Sequence, residues 1–169
     1  MRVATIQTLS RVTVKAPATS ANLGPGFDVF GLALEKPTDQ ITLIVNTDKR
    51  IKIEISGIQA RTISPLPDRN TAGVVAQYMI DEYELKTGLT ICIEKGIWTG
   101  KGLGSSAAPA AAVAYGLNRL FNLGLSDQKL IQLAAKGEVV SAGSEHADNV
   151  SAAICGGFVI LVLQSIGDY

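Results

Sequence analysis

Apolar residues in this chain recur with two different periods, and the order of those periods restricts the fold more than any other feature. Val12, Val14 and Ala16 alternate with polar neighbours, as do Ile41, Leu43 and Val45, then Ile51, Ile53 and Ile55, and finally Ile91 with Ile93. A two-residue period puts successive side chains on opposite faces of a pleated backbone, so each segment reads as a half-buried strand. Between the third and fourth, Ala72, Val75, Ala76, Met79, Ile80 and Tyr83 follow the i, i+3, i+4 spacing of one helical stripe, with Gly88 expected to stop it.

Two further helices follow. Ser105 and Ser106 are expected to cap a segment with Pro109 in its first turn, running through Val113, Leu117 and Leu120 to Gly124. Ser126 and Asp127 open the next, whose Leu130, Ile131 and Ala134 share a face one turn before Glu138. Gly143 then breaks the chain ahead of the polar cluster Glu145-His146-Ala147-Asp148-Asn149, and Phe158 to Leu163 reads as a buried strand. Strands first, then helices among strands, predict an α+β domain: helices on one face of a mixed, mostly antiparallel sheet.

Composition removes several classes of function. With 169 residues, 47% of them hydrophobic and only 18% charged, the chain is long enough for one cored domain and too apolar for a disordered one. Fifteen Lys and Arg against fifteen Asp and Glu leave no net charge, so nucleic acid and anionic membrane surfaces are disfavoured partners. The longest apolar run, Ala152 to Leu163, is interrupted by Gly156 and Gly157 and is shorter than the roughly 20 residues of a spanning helix. The first ten residues carry no block of signal-peptide type. Cys92 and Cys155 form no Cys-x-x-Cys unit and are expected to be buried, inert thiols. No internal repeat is visible.

The most informative stretch is Gly100-Lys101-Gly102-Leu103-Gly104-Ser105-Ser106. Closely spaced glycines let the backbone approach a ligand, and the helix that follows aims unsatisfied N–H groups and its positive dipole end at the same place. This is an anion cradle, and two hydroxyls at the helix start add donors or a cation ligand. It is not a Walker A loop: three residues, not four, separate Gly96 from Gly100, and Lys101 is followed by glycine. Nor is it a dinucleotide fingerprint, because position 105 is serine. A serine-capped, glycine-rich turn without a ligand is the competing reading.

Company elsewhere tips the balance. Ala16-Pro17-Ala18-Thr19-Ser20-Ala21-Asn22-Leu23-Gly24-Pro25-Gly26-Phe27-Asp28, the loop Gly102 to Ala108, and Glu145 to Asn149, in that order, resemble the signature segments of the GHMP kinases, the superfamily of galactokinase, homoserine kinase, mevalonate kinase and phosphomevalonate kinase. The Ser-Ala-Asn-Leu-Gly-x-Gly-Phe-Asp and His-Ala-Asp-Asn pieces are similar to its homoserine kinase branch. The resemblance runs from Val12 to Val162.

It implies a soluble, cytoplasmic enzyme that passes the γ-phosphate of ATP to the hydroxyl of L-homoserine, a step of threonine biosynthesis. By the same resemblance Gly100, Gly102, Leu103, Gly104, Ser105 and Ser106 bind the triphosphate, Lys101 adds a phosphate contact unless it is simply solvated, and Ser106 and Glu138 ligate Mg²⁺. Taken alone, Glu138 would read as a solvated helix carboxylate. Asn70 matches the adenine-facing position and reads equally as a helix N-cap. Asn22, His146 and Asp148 match positions facing the amino-acid substrate, and Asp28 is expected to order its loop through backbone hydrogen bonds. Asn149 and Thr19 stand where sugar and mevalonate enzymes carry an aspartate and a lysine, which implies phosphoryl transfer without a dedicated general base.

Two departures qualify the resemblance. Trp98 occupies the place of a usual proline four residues ahead of Gly-Leu-Gly. Family members also continue into a C-terminal ferredoxin-like half that closes the site, so these 169 residues are expected to be the N-terminal, ATP-binding portion, acting in a homodimer or with a complementing second half. A nucleotide-binding module without turnover, or another GHMP specificity, is the alternative. RNA binding, suggested by the fold this superfamily shares with a ribosomal-protein domain, is weakened by the neutral charge.

Overall fold

The computed structural model describes residues 10–142 and 147–162. Its first two strands, β1 (Arg11–Leu23) and β2 (Gly26–Asn46), form a long antiparallel hairpin. The register pairs Val12 with Leu43, Val14 with Ile41 and Ala16 with Asp39, while Thr13 meets Thr42 and Lys15 meets Gln40. One face of the hairpin is thereby apolar and the other polar, as a two-residue period demands.

The same phase continues across the sheet. β4 (Gly88–Lys95) pairs antiparallel with β2, setting Ile91 beside Leu43 and Ile93 beside Ile41. β3 (Ile51–Gly57) runs parallel to β4 and adds Ile53 and Ile55 to the row. Parallel neighbours need a crossover, which α1 (Thr71–Glu82) supplies. β5 (Phe158–Ile160) pairs with Phe30 to Leu32 of β2, so the order is β1-β2-β4-β3 with β5 beside β2.

Helices α2 (Ala107–Leu120), α3 (Asp127–Ala142) and α4 (Asp148–Cys155) complete the domain. Alanines make α2 thin enough to lie close to the sheet: a Cβ on Gly116 would stand 2.7 Å from Leu43 Cδ1 and 3.3 Å from Val14 Cγ2. Gly137 does the same for α3, where a Cβ would sit 2.8 Å from the Thr71 carbonyl oxygen and 2.8 Å from Val75 Cγ2. This close seat of α3 on α1 carries the next residue, Glu138, in to 5% exposure. The mixed, mostly antiparallel sheet with helices is the α+β architecture anticipated.

Several local expectations change. β1 continues through Thr19 to Leu23, so the first signature segment is strand and hairpin turn rather than loop. Helix α1 ends at Glu82, where Leu85 N–H bonds to the Ile80 carbonyl and Glu84 takes a positive φ of 49°; Gly88 starts β4 instead of stopping the helix. Ala152 to Cys155 close helix α4, and the strand after them is three residues long, with Phe158 and Ile160 exposed rather than buried. Cys92 is only partly buried and Cys155 is exposed. Among the described residues no helix is long and apolar enough to cross a membrane.

Candidate functional site

The glycine-rich segment spans the gap between the end of β4 and the start of α2, and a cleft of about 530 Å³ opens beside it. Gly100, Gly102 and Gly104 all take positive φ, of 69°, 67° and 59°. At Gly104 there is no room for a side chain either, since a Cβ would stand 1.9 Å from Thr19 Oγ1 and 3.0 Å from Asn149 Oδ1. The loop is sewn to β1 by Thr19 N–H, which donates to the Leu103 carbonyl at 3.1 Å.

Neither serine caps α2 as expected. Ser106 is already helical, at φ −84° and ψ −39°, and its Oγ donates to Glu138 Oε2 at 2.9 Å. Ser105 Oγ donates back to the Ile97 carbonyl at 3.1 Å. Ala108 N–H donates to the Gly104 carbonyl at 3.0 Å and Pro109 has no N–H, so with no side-chain cap it is the Ser106 and Ala107 N–H groups that remain for a ligand.

Asn70, Gly100, Gly102, Leu103, Gly104, Ser105 and Ser106 all line the cleft, as do Asn22 and Asn149. Lys101 is exposed and does not. Asn70 is the N-cap of α1, its Oδ1 accepting from Ala72 N–H at 3.1 Å; its Nδ2 donates to the Ser64 carbonyl at 2.7 Å, and it lies on the cleft wall.

Asn22 helps order the hairpin turn, its Oδ1 accepting from Asp28 N–H at 2.9 Å. Asp148 is 1% exposed at the start of α4; its Oδ1 accepts from Asn149 N–H at 2.7 Å, and its Oδ2 has no partner among the described residues. It does not border the cleft. Glu145 and His146 lie outside the described residues.

Sequence reasoning missed other cleft residues. Arg69 and Thr62, from two short 3-10 turns between β3 and α1, form part of the wall, and Lys95 another. Lys95 is buried and ion-paired with Asp39; burial pulls its ammonium below the ordinary lysine range while Asp39 opposes that pull. Alternation could have flagged both, since Asp39 and Lys95 stand in phase with the core positions of their strands.

A cleft of backbone amides, with the Ser106 hydroxyl on its wall and the buried Glu138 carboxylate behind that hydroxyl rather than lining the cleft, suits a polyanion accompanied by a hard cation. Among the described residues no group of three acidic, His or Cys side chains gathers to hold a metal unaided. The family profile of the GHMP kinases N terminal domain matches residues 70–157. The chain belongs to the GHMP kinase family. Within that family it is 51% identical over 152 residues to a homoserine kinase of Methanococcus vannielii, covering 90% of this chain and 50% of that protein. A homoserine kinase of Natronomonas pharaonis is 48% identical over 149 residues, covering 88% and 48%. The crystal structure of homoserine kinase from Cytophaga hutchinsonii superposes with a TM-score of 0.86 at 31% identity, over 94% of this chain and 50% of that one. This GHMP kinase chain thus spans about half the length of the relatives it matches.

Proposed function

We propose that this chain is the nucleotide-binding portion of a homoserine kinase, transferring the γ-phosphoryl group of ATP to the hydroxyl of L-homoserine. The observation that carries the reading is the 51% identity to a curated homoserine kinase across nine-tenths of the chain. In the transfer, the bond between the γ-phosphorus and its bridging oxygen to ADP breaks, the substrate oxygen bonds to that phosphorus, and the hydroxyl proton is released.

The chain's own groups fit that chemistry. Backbone N–H groups of the loop and of the first turn of α2 bind the phosphates, and the α2 dipole favours their charge. Ser106 Oγ and Glu138 Oε2, 2.9 Å apart, are hard oxygen donors suited to Mg²⁺, with phosphate oxygens and water completing its shell. Mg²⁺, when bound, neutralises charge on the phosphates. Asn70 faces adenine from the far wall, and Asn22, His146 and Asp148 are assigned to the acceptor, Asp148 to its ammonium. Asn149 orients the acceptor hydroxyl; an amide cannot take the proton, and a loose phosphoryl-transfer transition state depends mainly on alignment and charge. The proposal extends to a cytoplasmic setting and to a homodimer or a complementing C-terminal half.

The test is ADP release coupled to an optical readout, with L-homoserine, mevalonate and sugars offered in turn. Turnover fastest with L-homoserine is expected. Faster turnover of mevalonate or a sugar rejects the specificity, and ATP binding without acceptor-dependent ADP release leaves a nucleotide-binding module.

A further inference from the structure

Asp39, inside β2, and Lys95, the last residue of β4, stand one step beyond the Gln40–Glu94 pair, in positions whose phase belongs to Ile41, Leu43, Ile91 and Ile93. Both side chains are buried, at 0% and 2% exposure, and they form an ion pair. A buried ion pair is a poor device for stability alone, because desolvation offsets the attraction, and an apolar pair would fill the same space. Such a pair would hold no backbone, however, and these two hold a good deal of it.

Asp39 Oδ1 accepts from Gly96 N–H at 2.8 Å and Ile97 N–H at 2.9 Å, the first two amides after β4. Its Oδ2 takes the Lys95 ammonium, which also donates to the Ser105 carbonyl at 2.8 Å. The two ends of the glycine-rich segment, residues 96–97 and 105, are therefore tied to one carboxylate. A trans peptide directs its carbonyl and its N–H oppositely, so holding the Ser105 carbonyl on Lys95 turns the Ser106 N–H away from that ammonium. Ser106 Oγ is then left to Glu138.

We infer that Asp39 is a positioning residue of the phosphate-binding loop, which acts through Lys95 on the Ser105 carbonyl and directly on the amides of residues 96 and 97. The inference rests on the nucleotide-binding reading of the cleft. It differs from a role for Lys95 as a simple cleft cation. If Lys95 acted only by its charge, releasing it from Asp39 would tighten binding of a polyanion; if Asp39 sets the loop, removing the carboxylate weakens binding.

The experiment is titration of the full chain with a non-hydrolysable ATP analogue and Mg²⁺, beside amide hydrogen exchange of the ligand-free protein. Asp39→Asn is expected to raise Kd about tenfold and to speed exchange at residues 96–97 and 105–108 with little change in α3. Where D39N does not fold, the double variant D39N/K95M is read by amide exchange alone, because losing the Lys95 charge weakens binding on either view: faster exchange at residues 96–97 and 105–108 is expected, and unaltered exchange there overturns the inference. Failure of the unmodified chain to bind the analogue overturns the nucleotide reading and this inference with it. Normal binding by the unmodified chain, with equal or tighter binding and unaltered loop exchange in the variant, overturns the inference alone.

Discussion

Thr19 and Asn149 lie 130 residues apart in sequence and meet in one hydrogen bond, Thr19 Oγ1 donating to Asn149 Oδ1 at 2.8 Å. The bond decides which end of the Asn149 amide faces β1, because Oδ1 is the acceptor and Nδ2 must point elsewhere. Thr19 is wholly buried, and its own N–H holds the loop at Leu103. One residue of β1 thus sets both the loop and the amide assigned to the acceptor hydroxyl.

Gly104 lies against that pair, so Gly104→Ala is expected to be damaging on two counts. The new methyl overlaps Thr19 Oγ1, a short β-branched side chain that cannot swing away, and alanine is strained at φ 59°. A loss of about 2–4 kcal/mol is expected, with ATP affinity falling too. Gly124→Ala is the control, since φ there is 67° with nothing within 4 Å, leaving strain of about 1 kcal/mol. Thermal unfolding of both variants, with equal losses, would contradict the close packing at Gly104.

Ser106 and Glu138 are expected to act on nucleotide only through the cation. Glu138→Gln keeps an acceptor for the Ser106 hydroxyl and removes the charge; it should weaken binding of ATP with Mg²⁺ about tenfold and leave binding in chelator almost unchanged. Ser106→Ala should act in the same direction. Calorimetric titration with and without Mg²⁺ decides the matter: equal loss in both media would make the pair structural.

The N-cap of Asn70 and its proposed adenine contact are separable by substitution. Asn70→Ala removes the N-cap of α1 and is expected to cost about 1 kcal/mol. Asn70→Ser restores a capping oxygen, so stability should recover. If adenine is read here, ATP affinity stays low in both variants relative to the unmodified chain; recovery of affinity with the serine would reduce Asn70 to a cap.

Both thiols are expected to react slowly at neutral pH for reasons other than deep burial. Desolvation and then Glu54 push the Cys92 thiol above the ordinary cysteine range, and desolvation by the neighbouring protein and then Asp127 do so for the more exposed Cys155. The thiolate is the reactive form, so at pH 8 each alkylates more slowly than a free cysteine, and its rate climbs at higher pH than free cysteine's does. Iodoacetamide labelling followed across pH 7 to about 10 by mass spectrometry checks it; a rate matching or exceeding free cysteine at pH 8 would contradict the assigned surroundings.

Much of the architecture was legible because it rests on local periodicity. Alternation at Val12–Ala16, Ile41–Val45, Ile51–Ile55 and Ile91–Ile93, and the stripe from Ala72 to Met79, each bury one face whatever their partners are, so strands and helix could be read without a topology. The glycine-serine loop ahead of a helix was legible for a similar reason, while its role in holding a ligand was read from the other signature segments. Boundaries failed where a non-glycine residue did a glycine's work: Glu84 turns the chain after α1 at positive φ, leaving Gly88 to begin a strand.

Partnerships between distant residues had no local signature. The sequence neighbours of Ser106 do not say that its hydroxyl turns from capping to Glu138, 32 positions on, nor those of Thr19 that it meets Asn149; only the family resemblance set these residues side by side. Asp39 and Lys95 gave half a signal, being charged residues in core phase, but their meeting under the loop depends on the register of β2 against β4. Periodicity, turn chemistry and the glycine-serine segment are properties of neighbours along the chain, and the sequence carries them openly. Which carboxylate meets which hydroxyl, which carbonyl is tethered and which amide is left for a ligand follow from close packing between elements, at Gly104, Gly116 and Gly137 above all, and the folded domain alone settles them.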